Sequence, residues 1–409
     1  MRKKPVKPRD ENTTTSSGVG PITFGIPDFD EAEIEAVAEL IRSGKISGDG
    51  PATKRLEAEM AAYLGVPKVF LTTSGTHALE LAMHSLRLKP GDEVICPSFT
   101  FVSTANAALL CGAKPVFAEI RPDTLNLCPE DTARRITSRT RAICPVHYAG
   151  IGCDMDAFMK LAEDHHLSIV EDAAHAMGAR YRGKPLGSIG DIGCFSFHDT
   201  KNIVCGEGGA FASRDPEIIG LAEMIREKGT DRSRFLRGEI DRYTWREPGS
   251  SYILSEILAV ILEVQWKKME RINRRRVEIF HRYEDGLREF AKSERIALPH
   301  IPDGCDINGH IFYTLHPTGT DRNRCLAELR ERGIPASFHF VPLHSSPFAR
   351  QELGTGNLAL PVTESVARRL VRLPLHSALT DAQVDYVLTV YSDFLSNPPV
   401  GTANTGLRL

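Results

Sequence analysis

VFLTTSGTHALELAMHSL, residues 69–86, decides the fold. Its first seven residues form an apolar run closed by small polar side chains. The rest, THALELAMHSL, spaces its apolar residues as a helix does. A strand that passes through Ser74 and Gly75 straight into a helix is one unit of a layered α/β protein. Outward along the chain the unit recurs. EVICPSF (93–99) reads as a strand, Val102 to Leu110 as a helix, and PVFAEI (115–120) as a strand. RAICPVHYAG (141–150) is a strand ending in polar residues, with a helix from Asp156 to His165 after it. LSIVEDAAHA (167–176) is a strand ending in two acids, and IGCFSFH (192–198) and GAFAS (209–213) are two more. Such alternation predicts a mostly parallel sheet between helices. Ligands gather at the carboxyl ends of the strands in such sheets, and here those ends carry Ser74, His147, Asp172 and Ser196.

Before the first strand, Asp30 to Ile41 has helical spacing, with Ile34, Val37 and Ile41 on one face. SGKISGDGP (43–51) reads as a loop closed by Pro51, and Lys54 to Leu64 as a second helix. Past Glu256 a helical pattern runs through ILAVILEVQWKKMERINRRRVEIFHRYEDGL, long enough to link two domains. Beyond it HIFYTLHP (310–317) and ASFHFVPL (336–343) read as strands, and 322–332 and 363–372 as helices. The expected division is a large domain over 21–265, a small α+β domain over 266–395, and loose tails at 1–20 and 396–409.

The 409 residues are ample for two cores. A net charge of -3 gives no sign of a general nucleic-acid binder, and the basic start of the chain meets Asp10 and Glu11 at once. No apolar run approaches membrane-spanning length, and the first residues lack the apolar segment of a signal peptide. The nine cysteines are scattered without a C-x-x-C pair. Cys96, Cys144 and Cys194 sit in or beside apolar strand runs, so buried free thiols in a reducing cytoplasm are expected. Asp154, Asp156, His165 and His166 lack metal-site spacing, and no metal is expected.

Within FSFHDTKNIVCGEGG (195–209) stands a single lysine, Lys201. A lysine amine attacks carbonyls once its pKa is lowered and its position fixed. An aldehyde cofactor such as pyridoxal phosphate (PLP) needs, besides the lysine, a phosphate cradle, a carboxylate for its pyridine nitrogen, an aromatic plate and shelter from water. Gly75 and Thr76 open a helix whose free amides attract phosphate, and Ser196 offers a hydroxyl; an ordinary turn capped by Ser74 explains the same residues. Glu171 and Asp172 point to opposite faces of their strand, so one faces the site and the other makes structural contacts; an acid capping the next helix is the plainer alternative. Phe99 and Phe101 are both available as the plate, and at least one belongs to the core. His175, one helical turn past Asp172, either leans on the ring or is structural. The glycines of GEGG (206–209) do not form a Walker loop and fit a tight turn before GAFAS.

Taken in order, SGT, PSFTFVSTANA, VHYAG, VEDAAHA, FSFHDTKN and GEGG resemble the DegT-type sugar-nucleotide aminotransferases, over nearly all of residues 21–395. The resemblance implies the aspartate-aminotransferase-like fold (PLP fold type I), an α/β large domain with a mostly parallel mixed sheet, plus a small α+β C-terminal domain. It implies that Lys201 holds the cofactor's aldehyde and later shuttles the proton, that Asp172 pairs with the pyridine nitrogen, and that Phe101 stacks on the ring. His175 stands near the ring hydroxyl, and Gly75, Thr76 and Ser196 match the phosphate binders. Many members add an Asn from the neighbouring subunit in a G-Y-N-Y-R segment; here the segment is GSSYI, with Ser251 at the Asn position and Ile253 at the Arg position. His339 and His344, in FHFVPLH, resemble the segment near the sugar nucleotide. The implied partners are L-glutamate, a dTDP-linked keto sugar and a second copy of the chain, in a homodimer with shared sites. RPDTLNL (121–127), REKGTDRSRFLRG (226–238) and YTWREPGSSY (243–252) look like the branch that converts dTDP-4-dehydro-6-deoxyglucose to its 4-amino-4,6-dideoxygalactose form. Amination at carbon 3, or with the opposite configuration at carbon 4, stays open. Related sugar dehydratases carry histidine where Lys201 stands, and a non-catalytic relative has no use for that lysine.

Overall fold

The computed structural model of the chain describes residues 19–397, so the expected tails lie outside that range but for their innermost residues. Seven strands build the main sheet: β1 (Lys68–Thr72), β2 (Glu93–Pro97), β3 (Lys114–Ala118), β4 (Thr140–Ile143), β5 (Ser168–Asp172), β6 (Ile192–Ser196) and β7 (Gly209–Ser213). Their order is β1-β7-β6-β5-β4-β2-β3. β2 through β6 are parallel, and β7 is antiparallel to both its neighbours. β1 therefore points the same way as β6, and six carboxyl ends open on one edge.

Strands that are apolar on both faces must be covered on both. Alternation sends Val69, Leu71, Ile95, Ile143, Ile169 and Phe195 into one apolar cluster and Phe70, Val94, Cys96, Val170, Cys194 and Phe211 into another. Cys96, Cys144 and Cys194 are free and buried there, as read from the sequence.

Of the helices, α1 (Glu31–Ser43), α2 (Pro51–Leu64), α3 (Gly75–Ser85), α4 (Val102–Leu110) and α5 (Met155–His165) lie close to their expected places. Two details differ. Pro51 does not close a loop but opens α2, at the position where a missing N–H costs nothing. The first amides of α2 are bonded instead by the Glu256 carboxylate, at 3.1 Å from Gly50, 2.8 Å from Ala52 and 2.9 Å from Thr53. On α1, Val37 packs on the core while Ile34 and Ile41 stay exposed. The sequence did not distinguish α6 (Pro216–Arg226), whose Leu221 and Ile225 join the second cluster.

Glu256 also begins α7 (Glu256–Lys292), which runs unbroken through the expected boundary at 265/266. Its Leu262, Met269 and Ile272 pack against the main sheet. Its Ile279, Phe280, Tyr283 and Leu287 belong to a separate cluster. That cluster includes residues of β8 (Phe312–Leu315), α8 (Arg322–Glu331), β9 (Leu370–Leu373) and α10 (Asp381–Ser396).

Here the sequence reading needs two corrections. ASFHFVPL is not a strand: only Ser337 pairs, with Arg372. His339 and Phe340 turn toward aromatic neighbours, Phe340 lying 5.5 Å from Phe99, and Pro342 has no N–H for a ladder. The partner of β8 is β9, read from the sequence as the end of a helix. The helix α9 (Pro361–Arg369) stops first, and Val371 and Leu373 then alternate into the core as a strand requires.

The antiparallel β7 has to start hard against the β1–α3 turn. A Cβ on Gly209 would fall 2.3 Å from the Ser74 carbonyl oxygen and 2.6 Å from the Gly75 nitrogen. Gly209→Ala should therefore lower stability by about 1–3 kcal/mol. Urea unfolding checks this: the midpoint should fall with an unchanged slope, and an unmoved midpoint would show that the turn gives way freely.

Candidate active site

The strand ends surround a cavity of about 680 Å³. Ser74, at the end of β1, caps α3 by accepting the His77 N–H at 3.1 Å. The cap leaves the first amides of α3 without an intrahelical partner, so the turn is both an ordinary cap and an anion-attracting helix start. Gly75 is required here, because a Cβ would lie 2.7 Å from the Ser196 Cβ. The Thr76 hydroxyl meets that of Ser103 at 2.7 Å, which adds hydroxyls from α3, α4 and β6 to the same end of the cavity.

Strand β5 ends in Glu171 and Asp172, and the pleat separates them. Glu171 turns into the protein, 2.9 Å from His147, and accepts N–H groups of Gly187, Ile189 and Gly190. Burial works to raise its pKa, but His147 and these amides hold it below the ordinary carboxylate value. Asp172 faces the cavity. It accepts the Thr104 hydroxyl at 2.8 Å and the Ala174 N–H at 3.2 Å. Burial raises its pKa, and Thr104, Ala174 and the Lys201 charge offset only part of that.

Lys201 follows β6 and lines the cavity. Burial lowers its pKa to about 8; the Asp172 charge holds it up and the Arg372 charge pushes it down. Its neighbour Asn202 locks the segment, donating to the Asn308 carbonyl at 2.9 Å and to Asn273 at 2.8 Å. Asn202 also binds His310 Nδ1 at 2.8 Å, and the His310 ring lies 4.4 Å from that of His175.

The aromatic candidates divide. Phe99 is 1% exposed and packs on Tyr148 and Phe340, whereas Phe101, 60% exposed, lines the cavity. His175 lines it too, accepting the Ala149 N–H at 3.4 Å. His339 joins from the far side, 2.7 Å from the Tyr148 hydroxyl. Burial, with the nearby positive charges, holds His175 and His339 well below the ordinary histidine pKa.

Two expected residues do not reach the cavity. His344 is buried between Ser98, 2.7 Å away, and Glu364, 3.4 Å away, and acts as a structural tie. Ser251 is exposed and pairs with Glu227, outside its own chain's cavity. Sequence reading missed Thr104, Arg276, His310 and Arg372. For Arg372 a signal existed: Val371 and Leu373 alternate as in a strand, which sets Arg372 on the opposite face.

Groups of every kind that a PLP cofactor needs are present: an amine, a buried carboxylate, a helix start with hydroxyls, and aromatic rings. Asp172 is buried with no full ion pair among the described residues, and a protonated ring nitrogen would supply the missing charge. The cradle end is open only because position 75 has no Cβ.

Residues 27–391 match the DegT/DnrJ/EryC1/StrS aminotransferase family, and the chain belongs to it. It is 33% identical over 381 residues to the spore coat polysaccharide biosynthesis protein SpsC of Bacillus subtilis, across 91% of this chain and 97% of that protein. S. venezuelae DesV, solved in complex with a ketimine intermediate, matches with a TM-score of 0.83 at 33% identity, across 93% of this chain and 100% of that chain. Spr1654 of Streptococcus pneumoniae in its PLP-form matches with a TM-score of 0.84 at 31% identity, across 92% of this chain and 99% of that chain. Its PMP-form is also similar. The fold is that of PLP fold type I, and the chain is a PLP-dependent aminotransferase of a family whose members act on sugars.

A lysine with a pKa of about 8 is largely an ammonium at neutral pH and becomes a nucleophile roughly two pH units earlier than a free lysine. The rate at which cofactor-free protein takes up PLP, followed by absorbance, should rise with a midpoint near pH 8. Asp172→Asn removes the charge that holds the proton on, so its midpoint should lie lower. A midpoint that stays put, or rises, would mean that Asp172 does not act on this amine.

Proposed function

We propose that this chain transfers the amino group of L-glutamate to carbon 4 of dTDP-4-dehydro-6-deoxyglucose, giving dTDP-4-amino-4,6-dideoxygalactose and 2-oxoglutarate. The observation that carries the reading is the burial of Lys201 beside Asp172 in one cavity, with the amine's pKa lowered to about 8. The substrate and the galacto product are supported by the likeness of residues 121–127, 226–238 and 243–252 to that branch of the family.

PLP, when bound, supplies an aldehyde for the incoming amine and a ring that takes up the electron pair left when a carbon loses its proton. The chain does the rest. The amides of Gly75 and Thr76 and the hydroxyl of Ser196 would hold the cofactor's phosphate. The Asp172 carboxylate would hold a proton on the pyridine nitrogen, and Thr104 keeps that carboxylate oriented. Phe101 would cover one face of the ring, and His175, held neutral, would stand by the ring hydroxyl. Lys201 Nζ takes the α-proton from the amino donor as a general base and returns a proton to the sugar carbon, so the face it occupies sets the product's configuration. His339, on the cavity lining, would contact the sugar.

The active unit is a homodimer in the cytoplasm. Ser251 is exposed and away from its own cavity, which suits a phosphate contact across a subunit boundary. Phe29, Ile34 and Ile41, on or just before α1, are exposed apolar side chains of the kind a partner covers. Sedimentation should give twice the mass of one chain. A monomer that is fully active would remove Ser251 from the site.

The decisive assay incubates the protein with PLP, L-glutamate and a panel of dTDP- and UDP-linked keto sugars, and assigns the product by NMR coupling constants. A 4-amino-4,6-dideoxygalactose product on dTDP is expected. Amination at carbon 3, or the gluco configuration, would overturn the substrate assignment. Lys201→Ala should retain PLP but lose transamination by at least about 10³-fold. Turnover that survives the substitution would mean that another group moves the proton.

A further inference from the structure

Lys201 sits in the turn between β6 and β7, outside any helix or strand. Its backbone N–H donates to the His198 carbonyl at 2.9 Å, a bond within the turn itself. The next side chain, Asn202, is buried and reaches across to the opposite wall. Its amide donates to the Asn308 carbonyl at 2.9 Å and to the side-chain oxygen of Asn273, on α7, at 2.8 Å. Asn273 in turn donates to the Met177 carbonyl at 3.2 Å. Backbone carbonyls only accept, so the orientation of both side-chain amides is fixed. A third asparagine, Asn308, donates to the carbonyls of His175 and Met177, at 2.8 and 3.0 Å, and accepts the His310 N–H at 3.1 Å. The set is tightly seated. A Cβ on Gly150 would lie 2.0 Å from the Asn308 oxygen, and one on Gly178 2.2 Å from the Asn273 nitrogen.

With both amide hydrogens of Asn202 engaged, its oxygen is left to accept. It meets His310 Nδ1 at 2.8 Å, so Nδ1 carries the proton. Burial, with His175, Lys201 and two arginines nearby, holds His310 well below the ordinary histidine pKa, so the ring is neutral and Nε2 is bare. The ring lines the cavity, and among the described residues Nε2 has no hydrogen-bond partner. The two nitrogens of His310 are thus unlike. One grips the residue beside Lys201, and the other faces no donor of the protein.

We propose that His310 is a positioning residue for Lys201: its Nδ1–H locks Asn202, and Asn202 fixes the turn from which the amine reaches the reacting carbon. The proposal rests on the aminotransferase reading above, in which Lys201 moves the proton. The physical case is one of slack. A lysine amine rides on a flexible four-carbon stem, so a small shift of its backbone carries to the tip. A proton is transferred only between heavy atoms about 3 Å apart, and a misplacement of about 1 Å costs on the order of 10²-fold. Turns move more than the strands they join unless side chains tie them down. Asn202 ties this turn to α7 and to the segment before β8, and His310 bonds the one group of Asn202 that the asparagines leave free. His310 stands just before β8, so the small domain sets the reach of an amine that belongs to the large one. One amine serves both half-reactions, so its position bears on both alike.

The test compares the wild type with His310→Asn, whose amide nitrogen falls where Nδ1 stood, and His310→Gln, whose amide falls where Nε2 stood. In the cofactor-free wild type, nitrogen NMR of the histidine rings should show His310 as the neutral Nδ1–H form. Still without bound cofactor, the rate at which Lys201 takes up added PLP should fall about tenfold in His310→Gln and stay within about threefold of wild type in His310→Asn. In the loaded enzyme, followed by absorbance, His310→Gln should lower kcat of both half-reactions by about 10- to 100-fold. The KM values for L-glutamate and for the keto sugar should stay within about twofold, and His310→Asn should recover most of the rate. Asn202→Ala should repeat the loss, and the double variant Asn202→Ala/His310→Gln should be little worse than either single one, since the pair acts as a unit. An Nε2–H ring overturns the proposal. So does recovery by Gln and not by Asn, which would make Nε2 a substrate contact, or a loss confined to one half-reaction. A lowered melting temperature with kcat intact also overturns it, and would make the network structural alone. If the Nδ1–H form and the uptake rates come out as expected while the wild type aminates no sugar, the positioning role stands and the proposed activity falls.

Discussion

The site depends on one backbone approach. β7 is inserted antiparallel between β1 and β6, and its first residue must pass the Ser74–Gly75 turn with no room for a side chain. That contact puts the start of α3 against Ser196, and Lys201 five residues further on. Remove the close approach and the helix start, the hydroxyl and the lysine no longer share a wall. Gly75 and Gly209 thus serve the packing of three strands, and the chemistry inherits the result.

Electrostatics then follow from geometry. Lys201, Arg276 and Arg372 line the cavity with one buried carboxylate, Asp172, while the Asp199 and Glu207 carboxylates on its lining are exposed. Burial drives each group toward its neutral form, which lowers the lysine and raises the aspartate. The neighbouring histidines 175, 310 and 339 are held neutral by the same burial and the same positive field. Such a cavity is poorly satisfied by itself. Its unpaired groups are preorganised for anions, so a ligand meets donors that need no rearrangement.

The part of this that was legible in the sequence is local. β1, β5 and β6 are apolar runs ending in Ser74, Asp172 and Ser196, and a parallel sheet brings such ends to one edge whatever the details. The pleat alone separated Glu171 from Asp172. Where two residues of one type competed, as with Phe99 and Phe101, only packing could choose. Of the far wall only His339 was legible, and that through resemblance. Arg372 and His310 meet Lys201 because α7 and β8–β9 fold back across the sheet, and no spacing in the chain records that contact. His344 shows the converse: a motif residue next to the right segment, turned inward to bond Ser98. β9 was lost because four residues after a helix carry too little periodicity to be told from its last turn.

The continuity of α7 has a further meaning. On its N-terminal side lie Gly75, Asp172, Ser196 and Lys201; beyond its midpoint come His310, His339 and Arg372. The two sets are encoded in separate stretches of the chain, and they meet across one shared apolar cluster, where Phe99 and Tyr148 of the earlier stretch pack with Tyr313 and Leu315 of the later one. A mutation in the later stretch can reshape what the cavity admits while the earlier stretch, with its amine and carboxylate, is left untouched. Selection can therefore explore new substrates without first surrendering the reaction, which is a route by which one scaffold diversifies across many sugars.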